Sequence, residues 1–544
     1  MKKRIIHLLP LLALVLSGCT LSFGSTLDSS GTNSDSSDET SGDTSADTSS
    51  SSTSNSSSST STSAESSSSS STSTSSEETW DNYYRPSVVD PNFKYQDLQK
   101  AGSLNSIPTP GTDINILVIP IEFTNYTFST KTITDINTLF TGTATSTNYW
   151  ESVTSFYTKS SYGNLNLDFT VAPKYVTGYT PQQAANLNTS STQYFSTNLL
   201  RNAVSNYKST NGNASTQQFD SDSDGYIDAV WMVYSCPNYS NSATIENIST
   251  DFWAYVFWDY TQASSVSSPN SNAYGWASYD FMYEGGGTSK VDGHTYIHET
   301  GHLLGLDDYY NYDENSSYKP TGGIDMMDYN VTDHNVWSKM ALGWLKPYVV
   351  TGNAEITINP AESSGDAILI ADDWNGTSFD EFLMLELYTP TGLNKLDSDT
   401  AYTGSYPRGY TQAGVRLYHI DSRLGEYNYS GNFLNYGHPT GSELYNNSTS
   451  RYYGVANSNT PSYSANSDYR LIHMIQARGT NTFDTGSTGV NADLFTTGKS
   501  FSMAANGSQF FENGSLLNNG NALGYTIQFV SVSSTSATIR ITKI

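Results

Sequence analysis

The chain predicts two folded units of different class: an α+β unit, with an α/β-like alternation of elements, up to Pro347, and an all-β sandwich or jelly roll from Tyr348 to Ile544. Three observations carry this. Strand-like and helix-like patterns alternate as far as Trp344, which points to a layered unit of helices on a sheet. After Pro347 the apolar runs become short and are separated by Asn, Gly, Ser and Thr, as in sandwiches and barrels. At 544 residues the chain is also longer than one hydrophobic core usually serves.

In the first unit, INILVIPIEF (Ile114 to Phe123) is an unbroken apolar run and reads as a buried strand. NLNLDFTV (Asn164 to Val171) alternates, with Leu165, Leu167, Phe169 and Val171 on one face. Helices are expected over Thr132 to Phe140, Asn148 to Tyr162 and Gln193 to Tyr207, and strands over Ala229 to Tyr234, Phe252 to Trp258 and Ala277 to Tyr283. The second unit contributes EITINP, DAILIAD, EFLMLELY, GVRLYHID, YTIQFVSV and ATIRIT as strands. No internal repeat is visible.

Ahead of both units stands MKKRIIHLLPLLALVLSGC, with Lys2, Lys3 and Arg4 before an apolar run from Ile5 to Leu16. That run is too short to span a membrane as a mature helix, so residues 1–18 read as a signal peptide. Leu16-Ser17-Gly18-Cys19 resembles the lipobox of bacterial lipoproteins, which implies cleavage before Cys19, a lipid on that cysteine and a place on the outer face of the cell membrane. Residues 19–79 are almost entirely Ser, Thr, Asp, Glu, Gly and Asn and cannot bury enough apolar surface to fold, so they read as a disordered tether. Residues 80–110 form a lead-in or short prosegment to a catalytic unit spanning 80–347. Cys236 is the only other cysteine, so no disulfide is expected within the chain. A net charge of -27 with only 25 Lys plus Arg argues against a nucleic-acid partner. A monomer is expected.

The chemistry is concentrated in HETGHLLGLDD, residues 298 to 308. His298 and His302 are one helical turn apart, so their imidazoles share a face at roughly 6 Å and can bind one ion. Glu299, beside the first ligand, reaches the open coordination position and serves as general base. Gly305 can take the left-handed conformation that ends a helix and returns the chain towards the metal. Two aspartates follow that turn, Asp307 and Asp308, and helix geometry alone does not choose between them as the third ligand.

HETGHLLGLDD resembles the extended metzincin pattern HExxHxxGxxH/D, and with the DDYY that follows it is similar to the immune inhibitor A family of secreted bacterial metallopeptidases. The resemblance implies that Asp308, ten residues after the first ligand, completes a Zn2+ site with His298 and His302, and that Glu299 activates water for peptide hydrolysis. GGIDMMDYN (Gly322 to Asn330) looks like a Met-turn, with Met327 the floor of the site. DHNVWSKMALGWLKP, EFLMLELY and GVRLYHIDSRL look like further family segments. Some metzincins place a tyrosine two residues after the Met-turn methionine beside the metal, which implies an oxyanion-donor role for Tyr329, with His334 the alternative donor. A thermolysin-like third ligand on a following helix finds no support, since Glu355 and Glu362 fall in the predicted β region.

A second metal site is expected at DSDSDGYID, where Asp220, Asp222, Asp224, Tyr226 through its carbonyl, and Asp228 have the spacing of a calcium loop with Gly225 at the turn. Trp231 stands where an EF-hand has glutamate, and a strand follows, so the expected Ca2+ site is not an EF-hand. His419 and Asp421 read as a structural pair, His294 as a supporting residue and Cys236 as inert. The function expected is a surface-anchored zinc metalloendopeptidase acting on extracellular proteins or peptides. The alternative is a surface adhesin whose β domain binds a polymer and whose protease fold is inert; the intact Glu299 speaks against it.

Overall fold

The computed structural model describes residues 79–89, 107–143, 148–187, 194–240, 251–312, 317–404, 406–428, 432–437, 450–459 and 469–544. The signal peptide, Cys19 and the tether, apart from Thr79, lie outside the described residues. In chain order the strands are β1 (Asp81–Tyr84), β2 (Gly111–Glu122), β3 (Leu165–Val171), β4 (Tyr175–Val176), β5 (Val230–Tyr234), β6 (Tyr255–Trp258), β7 (Ala273–Ser278), β8 (Tyr348–Ile358), β9 (Ile368–Ile370), β10 (Glu381–Tyr388), β11 (Gly414–Asp421), β12 (Leu424–Asn428), β13 (Phe433–Tyr436), β14 (Ser450–Gly454), β15 (Ile472–Ile475), β16 (Ser500–Ser502), β17 (Tyr525–Val532) and β18 (Ala537–Lys543). The helices that position the site are α1 (Thr130–Thr141), α2 (Val153–Ser160), α3 (Phe195–Asn211), α4 (His294–Leu304), α5 (Met326–Tyr329) and α6 (Val336–Ala341).

The fold is mixed α and β. The first sheet runs β3-β2-β5-β7-β6, with β4 also on β2; only β6 is antiparallel to its neighbour. Successive β2 residues point to opposite faces, which explains the unbroken apolar run: both faces are covered. Ile114, Ile116 and Val118 pack with α1, α2 and α4. Leu117, Ile119 and Ile121 pack with Phe195, Leu199, Leu200 and Ala203 of α3. Ser152 caps α2 through a reciprocal capping box with Ser155, so that helix starts five residues later than its apolar pattern suggests. The strand expected over Ala277 to Tyr283 lies at Ala273–Ser278 instead, because Ser278 turns the chain into a 3-10 helix by accepting a hydrogen bond from the Asp280 N–H. Gly275 sits in that strand where a β-carbon would stand 2.8 Å from the Trp231 ring.

After Pro347 the main sheet has nine strands in the order β15-β11-β10-β9-β8-β18-β17-β16, with β1 also on β8, and β12, β13 and β14 form a small separate sheet. Val349 pairs with both Tyr84 and Leu369, and Ala354 with both Asp81 and Ile541. A strand has two edges, so β9 and β18 leave β8 from the same edge and the sheet divides there into two wings. Leu383, Leu385 and Leu417 of one wing share a buried cluster with Ile527, Phe529, Ile539 and Ile541 of the other. The opposite face of the first wing, through Met384, Tyr388, Tyr418, Ile420, Ile472 and Met474, shares a core with the helices of the N-terminal part. Both faces of β10 and β11 are therefore buried, and residues 79–544 belong to one compact unit. The lead-in contributes β1 to this sheet rather than to the N-terminal one.

Candidate metal centre

Helix α4 carries HETGH on a span that is buried from end to end. The Trp231 indole N–H donates to the Thr300 hydroxyl (3.2 Å), the Tyr157 hydroxyl to the Ile297 carbonyl (2.7 Å) and the Tyr296 hydroxyl to the Ser278 carbonyl (2.6 Å), which fixes the helix against β5, α2 and the end of β7. Gly305 ends it at φ 111°, and the Gly305 and Leu306 N–H groups return to carbonyls of the last turn.

That stop brings His298, His302 and Asp308 together, with ligand atoms all within 4.8 Å of one another. Asp308 Oδ1 lies 2.8 Å from His298 Nε2 and 3.3 Å from His302 Nε2. On the far side of each ring, His298 Nδ1 donates to the Met326 carbonyl (2.8 Å) and His302 Nδ1 to the Leu306 carbonyl (2.7 Å). With Nδ1 carrying the hydrogen, each neutral ring presents a bare Nε2 lone pair to a carboxylate oxygen. Such acceptors repel unless a cation or protons lie between them, and one ion satisfies all three. The donor set, two imidazoles and one carboxylate with oriented rings, fits zinc. Asp307 does not join the cluster.

With protons instead of an ion between these atoms, charge in the triad is strongly polarised. Burial works to raise the Asp308 carboxyl, but the positive charge of His302 and hydrogen bonds from both rings hold it far below the ordinary range. Burial favours neutral His302, yet Asp308 outweighs it and lifts the ring to about 10. Glu299 is buried, and burial raises its carboxyl against the opposing pull of His302 and His298.

The floor of the site is the 325–330 turn. The Asp325 carboxylate accepts from the Met327 N–H (3.0 Å) and from the Asn335 N–H and side-chain amide (3.0 Å each). Asp328 accepts from Thr321 and from the Gly323 N–H (3.0 Å). The turn delivers the Met326 carbonyl to His298 and lays the Met327 thioether against Gly301, where a β-carbon would stand 2.5 Å from Sδ.

The segments DHNVWSK, EFLMLELY and GVRLYHID meet behind this floor. Lys339 pairs with Asp333 (2.5 Å) and Arg416 with Glu386 (2.5 Å), all four buried, around a small cavity that also borders His334. Arg416 Nη1 donates to the Ile324 carbonyl (3.3 Å), so a strand of the C-terminal part holds the start of this turn in place. The His334 ring is packed among Phe156, Tyr157 and Trp344, and burial above all pushes its pKa far down. His294, one turn before His298, lies between Asp292 (2.7 Å) and Asp397 (3.4 Å) and is stacked by Trp150 and Tyr402.

Tyr329 has its ring 6.1 Å from that of Tyr310 and 6.2 Å from that of Tyr406. Tyr310 is nearer the triad: its ring stacks with His298 at 6.5 Å, and the charges of Asp308 and Glu299 act on its hydroxyl. Tyr312 donates from its hydroxyl to Asp308 Oδ2 (2.5 Å). Sequence reasoning missed both residues, although DDYYNY places them directly after the ligand. His419 pairs with Glu381 (2.8 Å) and Asp421 with Arg423 (2.7 Å), so both are structural.

At the acidic loop, Asp220, Asp222 and Asp224 offer oxygens within 4.8 Å of one another. Asp228 is not in that group but faces the same loop, accepting from the Ser221 N–H at 3.2 Å and feeling the charges of Asp222 and Asp220; the Tyr226 hydroxyl donates to the Gln262 carbonyl (3.0 Å). Comparison of the chain with known protein families gives no match, and comparison with curated proteins gives none. Among the described residues no helix is long and apolar enough to cross a membrane.

Proposed function

We propose that the chain is a zinc metalloendopeptidase with a metzincin-type site, similar to the immune inhibitor A family. The single observation that carries this is the convergence of His298 Nε2, His302 Nε2 and Asp308 Oδ1, each ring tied by Nδ1 to a carbonyl, with Glu299 buried in the same helix turn. When bound, zinc supplies a Lewis acid and lowers the pKa of water towards neutrality. The chain's own residues do the rest. Glu299 takes the proton of the attacking water and returns it to the leaving amine, and its upward displacement by burial suits a group that must alternate between the two states. Asp308, a buried carboxylate, would balance part of the ion's charge.

A tyrosine hydroxyl donates to the developing oxyanion. The spacing after Met327 proposes Tyr329; the surroundings of Tyr310, beside His298 and Glu299, propose Tyr310. The same reading includes a Ca2+ ion at Asp220, Asp222 and Asp224, lipid attachment at Cys19 and extracellular protein substrates. The deciding experiment is hydrolysis of a denatured protein such as casein, lost on chelation and restored by zinc, beside a Glu299→Ala chain that binds one zinc and cleaves nothing. A zinc-loaded wild type that cleaves no protein returns the choice to the adhesin.

A further inference from the structure

Four tyrosine rings stand in unbroken contact between two positions of helix α4. From His298 the contacts run to Tyr310 (6.5 Å), Tyr329 (6.1 Å), Tyr406 (6.2 Å), Tyr402 (4.9 Å) and back to His294 (4.2 Å). Tyr310 comes from the ligand loop and Tyr329 from the Met-turn; Tyr402 and Tyr406 come from the segment between β10 and β11. Tyr310, Tyr329 and Tyr406 are half-buried. A core has no need of three partly exposed phenols in a row, because leucine or phenylalanine fills space without a hydroxyl to satisfy. The charge of Glu299 acts on both Tyr310 and Tyr406, which places rings from the two halves of the chain around the proposed general base.

We propose that this arc is the wall on which substrate side chains lie, and that it selects extended peptide segments carrying aromatic or large apolar side chains beside the scissile bond, against acidic ones. The inference rests on the peptidase reading and names its substrate class. An extended chain presents side chains to one face every ~6.6 to 6.8 Å, close to the 6.1 and 6.2 Å that separate Tyr310, Tyr329 and Tyr406. Tyrosine gives a large, rigid contact surface with little side-chain freedom to lose. Acidic side chains meet opposition at the Tyr402–Tyr406 end of the arc, where the charge of Glu284 acts on both rings, and from a chain that as a whole carries -27. Lys319, over the Tyr329 ring at 5.0 Å, is the one Lys or Arg placed over a ring of the arc among the described residues.

Two measurements on the full chain test this. The first is mass-spectrometric profiling of a peptide library cut by wild type and by Tyr406→Ala. Phe, Tyr, Leu and Met should be enriched, and Asp and Glu depleted, within two positions of the cut. Tyr406→Ala should reduce the aromatic enrichment about tenfold, within the range by which a lost apolar contact changes discrimination. The second is calorimetric binding of two alanine-based octapeptides, with a central Phe or a central Asp, to zinc-loaded Glu299→Ala. The Phe peptide should bind about tenfold tighter, and adding Tyr406→Ala should remove the difference. If Tyr406→Ala melts early, Tyr329→Ala carries the same comparison, and Tyr406→Phe should keep the preference. Cleavage without aromatic enrichment, or enrichment untouched by both alanine variants, overturns the arc while leaving the peptidase. A wild type that cleaves nothing while Glu299→Ala still prefers the Phe peptide overturns the peptidase while leaving the arc as a peptide-binding wall.

Discussion

The Met327 thioether occupies the space that a side chain on Gly301 needs: a β-carbon there would stand 2.5 Å from Sδ and 3.1 Å from Cε. Both residues are buried, so the thioether has to shift within a packed floor, next to the Met326 carbonyl that orients His298. Gly301→Ala should destabilise the fold by about 1–3 kcal/mol, the usual range for overpacking. It should also weaken zinc binding, although alanine is the better helix former. Chemical denaturation with a chelator competition on the same samples checks both. A variant with wild-type stability and zinc affinity would mean that the helix and the turn are not locked together.

Zinc retention distinguishes the two aspartates that the sequence leaves side by side. Asp308 supplies the converging oxygen and Asp307 stays out of the cluster. Asp308→Ala should leave less than one zinc per chain after dialysis, whereas Asp307→Ala should keep it. Tyr312→Phe removes only the hydroxyl that holds Asp308 Oδ2 and should weaken zinc by about 10–100-fold, as for other residues that orient a ligand. Metal analysis of the three variants decides, and a zinc-free Asp307→Ala beside a zinc-loaded Asp308→Ala reverses the assignment.

The legible parts were those in which local pattern and tertiary demand agree. The β2 run is apolar on both faces and buried on both, the α4 histidines obey the helical period, and Gly305 ends the helix as its freedom at positive φ allows. The strand at Ala273–Ser278 was misplaced because its inner residues include Gly275, which faces the Trp231 ring and looks like a break in the sequence. The shared sheet was hidden for a different reason. Arg416 and Glu386 sit at inward positions of β11 and β10, and whether an inward charge meets a partner from another region cannot be read from one strand. Tyr402 and Tyr406 are about a hundred residues beyond the HETGH motif, so no spacing rule connects them to it.

The two tyrosines proposed for the oxyanion separate by single-hydroxyl removal. Tyr310 stacks with His298 and feels the charges of Asp308 and Glu299, while Tyr329 is acted on by burial and Asp328 and has Lys319 over its ring at 5.0 Å. A preorganised donor in a dry site contributes roughly 2.7 to 4 kcal/mol to the transition state. Tyr310→Phe should therefore lower kcat about a hundredfold with KM little changed, and Tyr329→Phe should stay within about twofold in kcat. Steady-state kinetics on one fluorogenic peptide are sufficient. The opposite ranking gives the role to Tyr329.

His294 makes the last prediction, because its buried charge ties the start of α4 to the C-terminal part. Burial favours the neutral ring, but Asp292, with Asp397 behind it, outweighs burial and lifts His294 from 6.5 to about 10. The folded chain thus holds the proton more tightly than the unfolded chain does. The resulting stabilisation is fully present below about pH 6.5 and is lost as pH rises through about 10. His294→Gln removes the cation and leaves two buried carboxylates facing each other, a change worth about 3–5 kcal/mol where the ring is charged. The melting temperature of His294→Gln should therefore fall furthest below wild type near pH 6 and approach it towards pH 10, with zinc saturating throughout. Net negative charge also grows with pH as other histidines, lysines and tyrosines lose protons, but both proteins share it and it cancels in the difference. Thermal melts of the pair at five pH values give the curve, and a deficit that is flat with pH would show that His294 contributes by packing between Trp150 and Tyr402 instead of by charge.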